Sequence, residues 1–555
     1  MGGGFGGKES RSVQLSSILA LAAQKTRRPV RCMLTREEDM VTTGQRHPFL
    51  GRWKVGVNKD GKIQALDLDI FNNAGWTWDL SAAVCERAMT HSDGCYMIPN
   101  IHVRGRICKT NTMSNTAFRG FGGPQGMFIA ESFMSEVADR LDIPVEKFRE
   151  INMYKAEELT HFNQPLTDWH VPLMYKQVQE ESDYANRREA ITKFNAEHKW
   201  RKRGLALIPT KFGISFTALW FNQAGALVHI YHDGSVLVAH GGTEMGQGLH
   251  TKMTMIAAQA LNVPMEDVYI SETATNTVAN ASATAASASS DLNGYAIHNA
   301  CEQLNERLAP YRAKLGPSAT LKELAHAAYF DRVNLSAQGF YKTPEIGYTW
   351  GENKGKMFFY FTQGVTAAEV ELDTLTGSWT CLRADIKMDV GRSINPAIDY
   401  GQIQGAFIQG VGLFTMEESL WLRNGPLKGN LFTRGPGAYK IPSFRDIPQL
   451  WNVSLLKDVE WQDLRTIQRS RGVGEPPLFM GSAVFFAIRD ALKAARVQYG
   501  VQAAVGVDSK DEGDGLLRLE SPATPERIRL ACVDPIVERA RVKAKEGERS
   551  FFIAI

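Results

Sequence analysis

Residues 222–253 read "NQAGALVHIYHDGSVLVAHGGTEMGQGLHTKM". The first half alternates apolar and polar residues on either side of Asp233-Gly234, a pair that suits the tight turn of a β-hairpin. The second half is a glycine-rich loop that runs into an apolar stripe continuing to Leu261, with the spacing of a helix.

Both designs recur outward from this stretch. "GRWKVGVNKDGKIQALDLDIFNNAG" (51–75) alternates around a Lys-Asp-Gly turn, and "AAEVELDTLTGSWTCLRADIKMDVG" (367–391) alternates around Thr376-Gly377. The loop-into-helix design appears as "GGGFGGKESRSVQLSSILALAAQK" (2–25), "AFRGFGGPQGMFIAESFMSEVADRL" (117–141), "GGTEMGQGLHTKMTMIAAQAL" (241–261) and "GVGEPPLFMGSAVFFAIRDALKAARV" (472–497). Each loop frees backbone N–H groups at a helix N-terminus, where the dipole favours negative charge. Four of them imply helix starts gathered around one large anionic ligand. Helices and strands mix without a steady βαβ rhythm, so the expected class is α+β.

The first loop comes close to a phosphate-binding P-loop: Gly2, four residues, then Gly7-Lys8. Glu9 stands where that motif needs a Mg²⁺-binding hydroxyl, so a nucleotide loop is not expected. After it, Val13, Leu15, Ile18, Leu19 and Ala22 form a helical stripe, which favours a helix over a signal peptide. Residues 155–200 are polar and charged and read as a join between two halves. "VDSKDEGDG" near 508–515 reads as a solvated loop whose acidic spacing does not fit an EF-hand, and Thr524-Pro525 reads as the start of a terminal helix.

Composition excludes several classes. Of 555 residues, 44% are hydrophobic and 22% charged, which suits globular cores. A net charge of +3 with scattered Lys and Arg gives no nucleic-acid surface. Seven cysteines without a C-x-x-C pair give no zinc or iron–sulfur spacing and read as buried reduced thiols. No apolar run is long enough to span a membrane.

Taken in order, "GGGFGGKE", "AFRGFGGPQ", "GGTEMGQG", "TAASAS" (284–289) and "GVGEPPLF" resemble the molybdenum-cofactor domain of the xanthine dehydrogenase and aldehyde oxidase family of molybdenum hydroxylases. The resemblance runs from residue 2 to about 535. It implies two mixed α/β subdomains with a molybdenum–molybdopterin between them: residues 1–155 as the C-terminal part of the first, 156–500 as the second, and 501–555 as a loop, short helix and tail. By match, Gly4, Phe5, Gly6, Arg119, Met245, Gly246, Gln247, Thr284, Ala286, Ser287, Gln409 and Gly474 would hold the cofactor. Phe5, Arg119 and Ala286 would approach the metal through their backbones.

The resemblance also implies the chemistry. Glu475 in "GVGEPPLF" matches the general base that frees a water-derived oxygen to attack an electron-poor ring carbon, with hydride passing to a sulfido ligand of the metal. Glu9 and Arg87, in "CERA", match the pair carried by purine-oxidising members. Phe121 and Phe216 match the phenylalanines that sandwich a flat heterocycle, and Thr217 a polar substrate contact. The implied reaction is conversion of hypoxanthine or xanthine to uric acid, in purine catabolism. Two alternatives stay open: an aldehyde-oxidising relative, from which Glu9 and Arg87 depart, and a remnant that keeps the fold without activity. A complete member of the family carries two 2Fe-2S clusters and FAD ahead of this region. The chain is therefore expected to be N-terminally truncated, to bind neither, and to turn over poorly alone. The full enzyme is expected to be a cytoplasmic homodimer; a peroxisomal location is also open, without a clear C-terminal signal.

Overall fold

The computed structural model describes residues 3–462, 464–501 and 515–540. The acidic stretch at 508–515 lies outside the described residues, apart from Gly515.

After the first loop come α1 (Ser12–Thr26) and α2 (Arg36–Thr42), the latter closed by a Thr35/Glu38 capping box. The helix expected after Lys8 forms, but none of its residues is buried. The hairpin of β1 (Phe49–Val57) and β2 (Ile63–Gly75) is antiparallel, and β3 (Asn100–Lys109) joins β2 in parallel across α3 (Ser81–Thr90). Ile63, Leu66, Leu68 and Ile70 of β2 pack on Ile129, Phe133, Met134 and Val137 of α4 (Gly123–Leu141), with α5 (Val145–Asn152) alongside. Helices α3 and α4 touch backbone to backbone: a Cβ on Gly126 would sit 2.2 Å from the Ala88 carbonyl oxygen.

Residues 155–200 are more than a join. They form α6 (Val171–Glu181) and α7 (Tyr184–Glu197), and Trp169, Val171, Met174, Tyr175 and Val178 are buried in a core with Leu205, Leu207, Phe358 and Val365. The apolar residues are diluted by charges that face outward, which hid the helical stripe.

Beyond them lie β4 (Arg201–Ile214), β5 (Gln223–Ile230), β6 (Val236–His240), α8 (Leu249–Leu261), β7 (Val268–Ile270), α9 (Ser289–Leu315) and α10 (Leu321–Phe330). Strand β8 (Ser336–Lys342) and the small pair β9 (Gly347–Thr349) and β10 (Lys354–Lys356) follow. Next come β11 (Tyr360–Asp373), β12 (Trp379–Asp389), α11 (Pro396–Thr415), β13 (Leu450–Leu455) and α12 (Ser482–Val497). Two four-stranded sheets result, ordered β13-β12-β11-β4 and β7-β6-β5-β8. Helices packed on mixed sheets make the protein α+β. The hairpins expected at Asp233-Gly234 and Thr376-Gly377 are present, with Gly234 and Gly377 at φ 94° and 74°.

A short helix (Pro525–Ala531) starts after Thr524, whose side chain makes no capping bond, and another spans Pro535–Ala540. The cysteines are free: five are buried, Cys108 is half-buried, and Cys32 departs from expectation by being exposed. Among the described residues no helix is long and apolar enough to cross a membrane.

Candidate active site

The glycine loops converge. The Gly3 N–H donates to the Met245 carbonyl at 3.1 Å, tying the first loop to the third. A Cβ on Gly4 would meet Met245 Sδ at 2.5 Å, and one on Gly6 would meet the Ala117–Phe118 backbone at 3.1 Å, so the first loop also lies on the second. Thr243 N donates to Thr284 Oγ1 at 2.9 Å, linking the third loop to "TAASAS".

Glu475 sits where these pieces meet. Its Oε1 accepts from Gly120 N at 3.1 Å and its Oε2 accepts from Ser287 Oγ at 3.0 Å. Its own N–H donates to the same Ser287 hydroxyl at 2.9 Å. Next to it, Gly474 is packed on Ser287, where an added Cβ would lie 3.0 Å from Oγ, a tight approach. Pro476 opens a 3₁₀ turn (Pro476–Gly481) that leads into α12.

Phe5, Phe121, Ala286 and Ser287 have φ of 52°, 49°, 55° and 54°. Side chains are rarely held in this left-handed region, at a cost of about 1–3 kcal/mol each, and such residues cluster at functional sites.

Arg119 is expected to act through its backbone. The structure adds a buried side chain: Nε donates to Gly474 O at 2.5 Å, Nη1 to Gln409 Oε1 at 3.1 Å and Nη2 to Gln402 Oε1 at 2.9 Å. The Arg119 carbonyl in turn accepts from Arg46 Nη1 at 2.8 Å, and the Arg46 guanidinium lies 4.8 Å over the Phe118 ring. Burial lowers the pKa of both arginines to about 10. Arg46 and Gln402 belong to no sequence motif. They are found only when the chain is folded.

The third loop corrects one expectation. Four of its amides, those of Met245, Gly246, Gly248 and His250, are already taken within the protein. Glu244 accepts from the N–H groups of Gly246, Gly248 and His250 at 2.8, 3.0 and 2.9 Å, and Gln247 Oε1 accepts from Met245 N at 2.6 Å. A carboxylate one residue before Met245 already fills the positive end of α8. Gly246 itself is exposed, and an added Cβ there would meet nothing within 4 Å.

Arg87 is buried on α3, with its guanidinium 5.9, 5.3 and 5.2 Å from the ring centres of Phe121, Phe212 and Phe358. Nη1 donates to Gly213 O at 2.8 Å and Nη2 to Ser215 O at 2.6 Å, leaving a buried Nε without a partner. Glu9 is half-buried, and its Oε2 likewise has no partner. Burial, reinforced by the Glu475 charge, pushes the Glu9 carboxyl above the ordinary range. Glu475 also acts on Arg87 by charge, so the three groups share one field. Phe216 and Thr217 follow Ser215 directly. Phe216 N is held by Asn222 Oδ1 at 2.9 Å, and its ring lies 5.5 Å from Phe221.

Among the described residues no three His, Cys, Asp or Glu side chains are grouped to hold a bare metal ion.

The chain matches two family models, each described as a molybdopterin cofactor-binding domain, over residues 1–153 and 177–448. It is 73% identical over its full length to a xanthine dehydrogenase of Emericella nidulans, and 59% identical to a nicotinate hydroxylase of the same organism. It spans 40% and 39% of those relatives' lengths. A solved aldehyde oxidoreductase from Desulfovibrio gigas shares 25% identity, with a TM-score of 0.80 over 96% of this chain and 54% of that one.

Proposed function

Since the chain belongs to the molybdopterin cofactor-binding domains of the xanthine dehydrogenase type, we propose that it forms the catalytic molybdenum region of an enzyme that hydroxylates hypoxanthine and xanthine. The cofactor fits the residues present. Four strained non-glycine residues and close loops stitched by Ser287 and Arg119 make a cradle whose contribution is backbone and polar side chains. Gly4, Phe5, Gly6, Arg119, Met245, Gly246, Gln247, Thr284, Ala286, Ser287, Gln409 and Gly474 would hold the group. When bound, it supplies a Lewis-acidic metal that lowers the pKa of water and a centre that takes up the two electrons of the oxidised carbon.

The chain's residues do the rest. Glu475 is the base that takes the proton of the attacking water, and the bonds from Gly120 N and Ser287 Oγ hold its carboxylate in one orientation. Phe121 and Phe216 take the two faces of the heterocycle. Glu9 and Arg87 meet its polar edges, Thr217 adding a further hydrogen bond. The observation that carries this reading is the pair of orphaned buried atoms, Glu9 Oε2 and Arg87 Nε, on two groups that both feel the charge of Glu475. Such atoms ask for a partner, and a purine offers both donors and acceptors. A substrate that leaves them unpaired is rejected.

In the same reading residues 1–155 and 156–500 are the two cofactor-binding units. The bound group would include a sulfido ligand, 2Fe-2S clusters and FAD outside these residues would accept its electrons, and the enzyme would be a homodimer serving purine catabolism in the cytoplasm. The test compares xanthine, nicotinate and an aldehyde as substrates of the wild-type, Glu9→Gln and Arg87→Met proteins. Losing one buried partner, worth about 1–3 kcal/mol, lowers kcat/KM for xanthine ~10–100-fold and spares the aldehyde. Unchanged xanthine turnover, or nicotinate preferred by the wild type, removes the purine assignment.

A further inference from the structure

His91 closes a ring of hydrogen bonds around Arg87. Arg87 Nη1 donates to Gly213 O at 2.8 Å, Gly213 N donates to His91 Nε2 at 3.1 Å, and His91 Nδ1 lies 2.8 Å from the carbonyl of Arg87. A carbonyl only accepts, so Nδ1 carries the proton. A backbone N–H only donates, so Nε2 is bare. One neutral tautomer satisfies both, and an imidazolium would oppose the Gly213 N–H. The Thr90 hydroxyl, 3.3 Å from Nδ1, is consistent with this form because it can pass its own proton to Arg87 O at 3.1 Å.

The surroundings keep this form. His91 is fully buried, with its ring 5.1 Å from that of Phe212 and 5.3 Å from that of Phe358. The charged groups that act on it are Arg87 on α3, Lys211 on β4 and Asp93 just after it. Burial, then the two cations, hold its pKa at about 3. Gly213 lies directly against the Phe358 ring, where an added Cβ would sit 2.3 Å away, so no side chain fits at that position.

We infer that His91, as the neutral Nδ1–H tautomer, is a positioning residue that aims Arg87 at the substrate and so helps to set the preference for purines. The inference rests on the function proposed above. His91 acts on Arg87 at two points, the carbonyl of Arg87 itself and, through Gly213, one of the two carbonyls that receive its guanidinium. Nη1 and Nη2 each spend one N–H there and keep another, and the Nε–H has no partner in the protein, so the guanidinium is held in one orientation with donors to spare. A histidine that merely filled the core would contribute to folding, and its loss would lower turnover of every substrate alike.

Two measurements decide. In the full chain labelled with ¹⁵N-histidine, the His91 signals are expected to show a protonated Nδ1 and a bare Nε2 from pH 8 to pH 5. A protonated Nε2, or charging of the ring within that range, overturns the inference without any variant. In the holoenzyme, the ratio of kcat/KM for xanthine to that for an aldehyde is compared among wild type, His91→Asn, His91→Gln and Arg87→Met. His91→Asn keeps a donor near the Nδ1 position and His91→Gln keeps an acceptor near the Nε2 position, so each breaks the ring at one bond. Both are expected to lower the ratio ~10-fold or more, with the aldehyde rate within threefold of wild type. If Arg87→Met lowers the ratio and the His91 variants leave it within twofold, the inference falls and the purine reading stands. If Arg87→Met leaves the ratio unchanged, both fall.

Discussion

Replacing Ser287 by alanine removes one hydroxyl that serves Glu475 twice. It donates to the carboxylate at 3.0 Å and accepts from the Glu475 N–H at 2.9 Å. A hydrogen bond to a charged group is worth about 1.5–3 kcal/mol, and leaving a buried N–H unpaired costs about 1–3 kcal/mol. Glu475 is only half-buried, so water recovers part of this, and a net loss of about 2–4 kcal/mol is expected. Ser287 also has φ of 54°, which costs a side chain ~1 kcal/mol that glycine escapes. Ser287→Gly loses the same bonds but is relieved of that strain, so it is expected to lie about 1 kcal/mol above Ser287→Ala. Urea unfolding measures the order: wild type, then glycine, then alanine. Turnover should fall ~10–100-fold in both variants, since the Gly120 N–H alone holds the carboxylate. A glycine variant more stable than wild type, or an alanine variant within about 0.5 kcal/mol of it and fully active, would refute the assignment of the hydroxyl to Glu475.

Gly126→Ala places a Cβ 2.2 Å from the Ala88 carbonyl, forcing α3 away from α4. Overpacking of this kind costs about 1–3 kcal/mol, read as a lower urea midpoint, and displacement of Arg87 on α3 should weaken xanthine binding as well. Asp291 is buried at the start of α9, where it accepts from Tyr360 OH at 2.8 Å, and burial raises its pKa to about 7 from 3.8. Between pH 4 and 7 the folded state therefore holds a proton that the unfolded state has lost. Its contribution to stability falls by about 4 kcal/mol as pH rises through that window, since each pH step of one changes the balance by about 1.4 kcal/mol. Asp291→Asn should flatten that part of the stability–pH curve, and an unchanged slope counts against the buried carboxyl as its source.

The hairpins and the glycine loops were legible because their signals are local. Asp233-Gly234, Thr376-Gly377 and the four runs of glycine before an apolar stripe each specify their own backbone. Glu475 and Ser287 could be named from motifs, but their double hydrogen bond joins residues 188 apart in sequence and has no local sign. The same holds for Arg46 on Arg119 and for His91 on Gly213. Only the interval of four from Arg87 to His91, a helical turn in "CERAMTHSD", hinted that the two act together. Glu244 went unread because a glutamate beside a glycine loop is ordinarily a solvated residue, and nothing local shows its carboxylate turning back onto three amides. Helices α6 and α7 were hidden by the charges on their outer faces.

That the loops cradle a molybdenum cofactor, with Glu475 at its reacting end, is tested most directly by anomalous scattering at the molybdenum edge from crystals of the cofactor-loaded protein. A single peak is expected on the side of the Glu475 carboxylate where Gly120 and Ser287 hold it. A peak elsewhere, or a loaded protein whose Glu475 has turned away to solvent, would contradict it.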